Sequence, residues 1–359
     1  MRYSIGRSQT LCVGGLLDWL RNRAATVTDL VQKVLPRRCP IPWRPNALAP
    51  VFYGTLDVGP TDGTPVTARL YFPSLDGSPD TAAVLTDCGR YPLIVFAHGH
   101  CPGDTDHYLK WIELPAQLAR AGYVVVVPQL PQMEGGISPS EADADLARLR
   151  DLVAWMRSRW VHRSLLAPAP ATGLVGHSFG AGLAGRLAIE GSVAAYASLS
   201  GHVASQVGDA IGVPKLFTWG FPAGDSLEFL VPISDAAWAN LGTPKHRIVF
   251  NDLAHWDYVP SGRVPCEAAR GTCPHGGVVA WDLVTTFFGN YLPPPAIPDL
   301  ATRIPESLIP PDLELTEKQQ FFAGGWLSGF GLLADSRDSC AVTISFETAN
   351  TSGTVLLPE

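Results

Sequence analysis

Hydrophobic residues along this chain fall into two kinds of run, and the change comes near residue 90. Early on, 51-VFYGTLDV-58 and 66-VTARLYF-72 alternate apolar with polar positions on either side of the turn-forming 60-PTDGTP-65. That spacing predicts two strands paired as an antiparallel hairpin. Later runs are continuous: 93-LIVFA-97, 123-YVVVV-127, 172-TGLVG-176, 194-AAYASLS-200, 215-KLFTW-219 and 247-RIVFN-251. Short unbroken runs suit strands covered on both faces, and the helix-length segments between them make the sheet mostly parallel.

The intervening segments carry the helical period. In 143–160, Leu146, Leu149, Leu152, Val153, Met156 and Trp160 form one apolar stripe, which reads as core. The stretch 179-FGAGLAGRLAIEG-191 reads as a helix, and so does 277-GVVAWDLVTTFFGNYL-292, which 293-PPPAIP-298 stops. The fold class expected is therefore α/β: an eight-stranded, mostly parallel sheet with helices on both faces. No repeat of fixed period appears, so a solenoid or propeller is not expected. Residues 1–49 read as a helical and Pro-rich lead-in, 50–292 as the main domain and 293–312 as a Pro-rich linker. Residues 313–359 read as a tail packed on that domain, with an apolar helix at 320–334 and a strand-like run, 341-AVTISFET-348.

Composition narrows the function classes. With 359 residues, 46% of them hydrophobic, the chain can bury a large core. A net charge of −7 and the lack of any basic stripe argue against a nucleic-acid partner. Asp18 interrupts the N-terminal apolar run, which is too short to span a bilayer and has no clear signal-peptide form. A cytoplasmic protein without a transmembrane segment is the expectation. The seven cysteines are odd in number and scattered, unlike a disulfide framework. Cys266 and Cys273 either close a small loop disulfide or stay reduced.

The chemistry gathers around 173-GLVGHSFGAG-182, where Ser178 stands between a strand-like run and a helix-like one. In that setting a sharp turn lifts the serine above the sheet edge, and Gly176, Gly180 and Gly182 permit backbone approach that a Cβ would block. A serine hydroxyl needs a neighbouring base, and the base needs an orienting carboxylate. If the chain order is serine, acid, histidine, the acid follows the seventh strand and the histidine follows the eighth. His246 precedes the eighth strand and His275 lies far past it, whereas His255 in 250-FNDLAHWDY-258 sits just beyond its end. For the acid, Asp225 follows the seventh strand in 215-KLFTWGFPAGD-225, with Asp235 as runner-up; Asp252 is too close in sequence to His255 to reach behind its ring. The turn in 95-VFAHGHCPGD-104 offers the N–H of His100, or of Cys101 one residue on, as an oxyanion donor to partner that of Phe179. A metal site among His98, His100, Cys101, Asp104 and His107 is the rival reading of that stretch. It is disfavoured because Pro102 and Gly103 stand where a dinuclear His-x-His-x-Asp-His pattern needs its last two ligands.

At these residues the sequence resembles the α/β-hydrolase superfamily, and within it the branch of platelet-activating-factor acetylhydrolases, dienelactone hydrolases, chlorophyllases and cutinase-like polyester hydrolases. The matching pieces are 92-PLIVFAHGH-100, 119-ARAGYVVVVPQ-129, 174-LVGHSFGAG-182, 215-KLFTWGFPAGD-225 and 252-DLAHWDY-258. The resemblance implies ester hydrolysis without a cofactor or metal, with Ser178, Asp225 and His255 as the triad. The insertion 259-VPSGRVPCEAARGTCPHG-276 departs from the shorter connection expected, and 201-GHVASQVGDAIGV-213 is too short for the large cap of many relatives. Phe221, Trp219, Trp256 and Tyr258 are the candidate pocket residues, favouring an apolar, small-molecule or lipid-like ester. A thioesterase, peptidase or acyltransferase would use the same triad. A silent hydrolase fold kept for binding is the alternative outside catalysis.

Overall fold

The structure is a computed structural model that describes residues 52–74, 84–86, 89–101, 103–130, 139–201, 210–221, 235–251, 253–259, 276–294, 342–347 and 352–357. The strands are β1 (Phe52–Val58), β2 (Ala68–Ser74), β3 (Leu93–Ala97), β4 (Val124–Pro128), β5 (Thr172–His177), β6 (Ala195–Leu199), β7 (Lys215–Phe221), β8 (Lys245–Asn251), β9 (Val342–Glu347) and β10 (Ser352–Leu357). They lie in one sheet in the order β1-β2-β4-β3-β5-β6-β7-β8-β9-β10. The first two pair antiparallel, as their alternation predicts, and β2 meets β4 antiparallel. From β4 through β3 and β5 to β8 every pairing is parallel. The eight strands legible as apolar runs thus form a mostly parallel sheet, and the hairpin of β9 and β10 lengthens it by pairing antiparallel with β8.

Among the described residues five α-helices accompany the strands: α1 (Glu113–Arg120), α2 (Pro139–Ser158), α3 (Phe179–Ile189), α4 (Asp235–Asn240) and α5 (Gly276–Tyr291). Leu149, Leu152 and Met156 of α2 and Leu183 and Leu187 of α3 pack with Val124, Val126 and Phe217 on one face of the sheet. Leu114 and Leu118 of α1 and Leu283, Phe287 and Phe288 of α5 pack with Val125, Val175 and Ile248 on the other. The parallel strands are buried on both sides because successive residues of one strand serve opposite clusters. Leu152 is fully buried, and its truncation to Ala would cost about 3 kcal/mol. Trp160, expected within the α2 stripe, lies past the helix end, yet it is buried and its N–H still bonds the Trp155 carbonyl at 3.1 Å.

The lead-in helix and Pro-rich entry, the linker at 295–312 and the tail helix at 320–334 lie outside the described residues. So do 202–209 and 260–275, which hold most of the short inter-strand segment and of the insertion. Among the described residues no helix is long and apolar enough to cross a membrane.

Candidate active site

The parallel topology brings the loops after β3, β5 and β8 to the same edge of the sheet, since parallel strands share one carboxyl edge. At the centre of that edge β5 ends at His177, α3 begins at Phe179, and Ser178 between them has φ 54° and ψ −122°. A serine in this region carries on the order of 1–3 kcal/mol of strain, which only surrounding structure can hold. It is held here by its own N–H donating to the Leu199 carbonyl at 3.0 Å and by its carbonyl accepting the Ala181 N–H at 3.1 Å. Ser178 stays partly exposed while His177 is buried. A Cβ at Gly180 would collide with the carbonyl oxygens of Ala97 and His98, so the first turn of α3 rests directly on the end of β3. The N–H groups of that first turn and the positive end of the helix dipole lie beside the serine.

The loop after β3 comes equally close. A Cβ at Gly99 would stand 3.1 Å from the Ser178 Cβ and 2.6 Å from His177 Nδ1. The loop is held in place by side chains that sequence inspection had grouped as possible metal ligands. His98 Nε2 accepts the Leu130 N–H at 3.0 Å, which leaves Nδ1–H to donate to the Gly99 carbonyl at 2.8 Å. His107 Nε2 accepts the Trp111 indole N–H at 3.3 Å, so its Nδ1–H donates to Asp104 at 2.8 Å. Burial pushes the His107 imidazole down to about 3, so this is a bond from a neutral ring rather than an ion pair. Lys110 balances the Asp104 charge from 2.6 Å. Gln129 ties the same loop to β4, accepting the Tyr108 N–H and donating to the carbonyls of Asp104 and Leu130.

Cys101, Asp104 and His107 place ligand atoms within 4.8 Å of one another. The Cys101 sulfur is in a disulfide, however, and the Asp104 and His107 atoms are committed to the bonds just described. That chemistry suits a structural clamp on the loop better than a metal ligand set. His100 is partly exposed, with its ring 6.4 Å from that of Phe179.

His255 lies in a tight turn after β8. Asp257 closes the turn, its carboxylate accepting the Ala254 N–H at 2.6 Å and its own N–H donating to the Ala254 carbonyl at 3.0 Å. Tyr258 anchors the turn to the sheet: Ser200 Oγ donates to its hydroxyl at 3.1 Å, and Thr218 Oγ1 lies 3.1 Å away and donates to the Ser198 carbonyl. Burial pushes the Tyr258 phenol up to about 12, so the network stays protonated at neutral pH. His255 is buried, its ring centroid 4.6 Å from that of His177. The His177 Nε2–H donates to the backbone carbonyl of His255 at 2.7 Å. Burial holds the His177 imidazole well below its ordinary pKa, with the neighbouring His255 acting in the same direction. Sequence inspection passed over this residue, because the position before the serine reads as arbitrary and the partner is a main-chain atom.

Of the other expected site residues, Asp225 and Asp252 lie outside the described residues, and Asp235 opens α4. Phe221 ends β7, and its side chain is not among those described. Trp219 is buried in the core, its ring stacked on Phe217 at 5.5 Å. Trp256 packs edge-on against His107 and His255 and lies 4.9 Å from His177, supporting the histidines from behind. Tyr258 has its hydroxyl in the network to β6 and β7 described above.

A strained serine at a strand-to-helix turn in a mostly parallel α/β sheet defines a class before any comparison is made. A family model described as the alpha/beta hydrolase fold matches residues 92–219, from β3 through the Ser178 turn into β7. That match, with the sheet order above, supports membership of the α/β-hydrolase superfamily and a hydrolase of that fold. No curated protein matches the chain.

Proposed function

We propose that this protein is a serine carboxylic-ester hydrolase acting on apolar acyl esters. The reading rests chiefly on Ser178, whose φ of 54° and ψ of −122° between β5 and α3 hold a partly exposed hydroxyl at the head of a helix. In this mechanism the Ser178 Oγ attacks the ester carbonyl as His255 takes its proton. The N–H groups of Phe179 and His100 stabilise the tetrahedral oxyanion, each contributing about 3 kcal/mol. His255 then returns the proton to the leaving alcohol, and Asp225 holds the imidazole in the required tautomer. Water repeats the sequence on the acyl-enzyme and releases the acid. Every step draws on protein groups and water alone. The preference for an apolar ester is supported by Phe179, partly exposed directly beside the serine. The disulfide at Cys101 supports an oxidising compartment over the cytoplasm expected from the N-terminal sequence.

Hydrolysis of p-nitrophenyl esters from acetate to palmitate by wild type and Ser178→Ala tests the reading. Loss of about 10⁶-fold in the variant is expected. Equal rates in both proteins would overturn it, and turnover of only thioester, amide or alcohol-acceptor substrates would move the reading to the matching acyl chemistry.

A further inference from the structure

We infer that His177 is a positioning residue for the base, acting through the main chain of His255; this rests on the serine-hydrolase reading above. A carbonyl oxygen can only accept, so the 2.7 Å contact requires the proton on His177 Nε2. Burial keeps the ring neutral, which leaves Nδ1 bare, and that atom is buried without a hydrogen-bond partner. Protein interiors seldom leave a polar atom in that state, and an apolar residue would avoid the penalty. What the imidazole supplies in return is the single N–H that reaches the base loop.

Its position gives that bond its consequence. His177 is the last residue of β5 and immediately precedes Ser178, whereas His255 follows β8, two strands further across the sheet from β6. The bond therefore ties the peptide bearing the nucleophile to the peptide bearing the base through the main chain, while the two imidazole rings also pack at 4.6 Å. Trp111, Trp256 and Tyr258 surround the His177 ring at 4.9 to 5.6 Å and fix its plane, so the donor has little room to turn away. Misplacing a catalytic group by about 1 Å can cost on the order of 10²-fold in rate. His177 thus sets kcat through geometry rather than substrate affinity.

Two nearly isosteric substitutions separate the N–H from the bulk of the side chain. His177→Gln keeps an N–H at similar reach, and His177→Met has the length but no donor. The Met variant is expected to lose roughly 10- to 100-fold in kcat with KM within about twofold, and the Gln variant to recover most of that loss. Amide exchange at Asp257 and Val259, whose N–H groups close the base turn, is expected to quicken in Met and not in Gln. Equal kcat losses in the two variants, or wild-type kcat and exchange in Met, would overturn the inference. If Met does not fold, as judged by circular dichroism, Gln alone decides: a kcat loss of tenfold or more there also overturns it. Failure of the hydrolase reading is distinguishable, since Ser178→Ala would then match wild type, while amide exchange still reports on the tie.

Discussion

The two edges of the sheet bury ionisable groups in opposite ways. At the amino ends of β7 and β8, Lys215 donates to the Gly242 carbonyl and Lys245 to those of Trp238 and Ala239, where the chain leaves α4. These cations satisfy carbonyls that a helix end leaves open. At the carboxyl ends, by contrast, Ser178 and Ser200 have positive φ and His177 keeps an unpartnered nitrogen. One edge spends its buried polar groups on closing the fold. The other carries strain and an unmet hydrogen bond, the signature of a region shaped by demands other than stability.

Substitutions at the two edges should sharpen that contrast. His255→Ala is expected to lower kcat by about 10⁶-fold, whereas Lys215→Met at the opposite edge should leave kcat/KM within about twofold, both read from ester hydrolysis. Comparable losses at both edges would erase the distinction. Next in size, Cys101→Ser should destabilise the protein by about 3 kcal/mol in denaturant unfolding, because the disulfide clamps the loop beside Gly99.

Acid provides a third probe. His98, His107, His177 and His246 are held below their ordinary pKa chiefly by burial, His107 to about 3 and His246 to about 4. The folded state then binds fewer protons than the unfolded one, so stability is full above about pH 6.5 and falls as pH drops towards the folded values. The loss is about 1.4 kcal/mol per pH unit for each histidine. Urea unfolding between pH 7 and pH 5 should show this slope, and His246→Gln should flatten it by one group's share. The smallest stability effect is expected from Ser178→Gly, which relieves the backbone and should raise stability by about 1 kcal/mol. A stability loss instead would mean that the turn is not strained.

Much of the fold was legible because parallel strands buried on both faces leave unmistakable apolar runs, and the turn at Ser178 was legible because its glycines have steric work to do. What escaped has physical reasons. Trp219 follows β7's alternation and shares a face with Phe217, so closeness in sequence to the site says nothing of where its ring points. Tyr258 and His177 act through hydrogen bonds to partners from distant parts of the chain. The run 341-AVTISFET-348 reads as strand-like, but nothing in its pattern tells which strand it will join.

That joining bears on how the protein is made. The strand that delivers His255 is paired on both sides, to β7 and to β9, but β9 is encoded far downstream of β8. During synthesis the serine's turn has all its sheet neighbours early, while β8 waits for its second partner until the ribosome has passed Glu347. Translation halted before Val342 would yield a chain with the Ser178 turn framed and β8 left as an open edge, a template for aggregation.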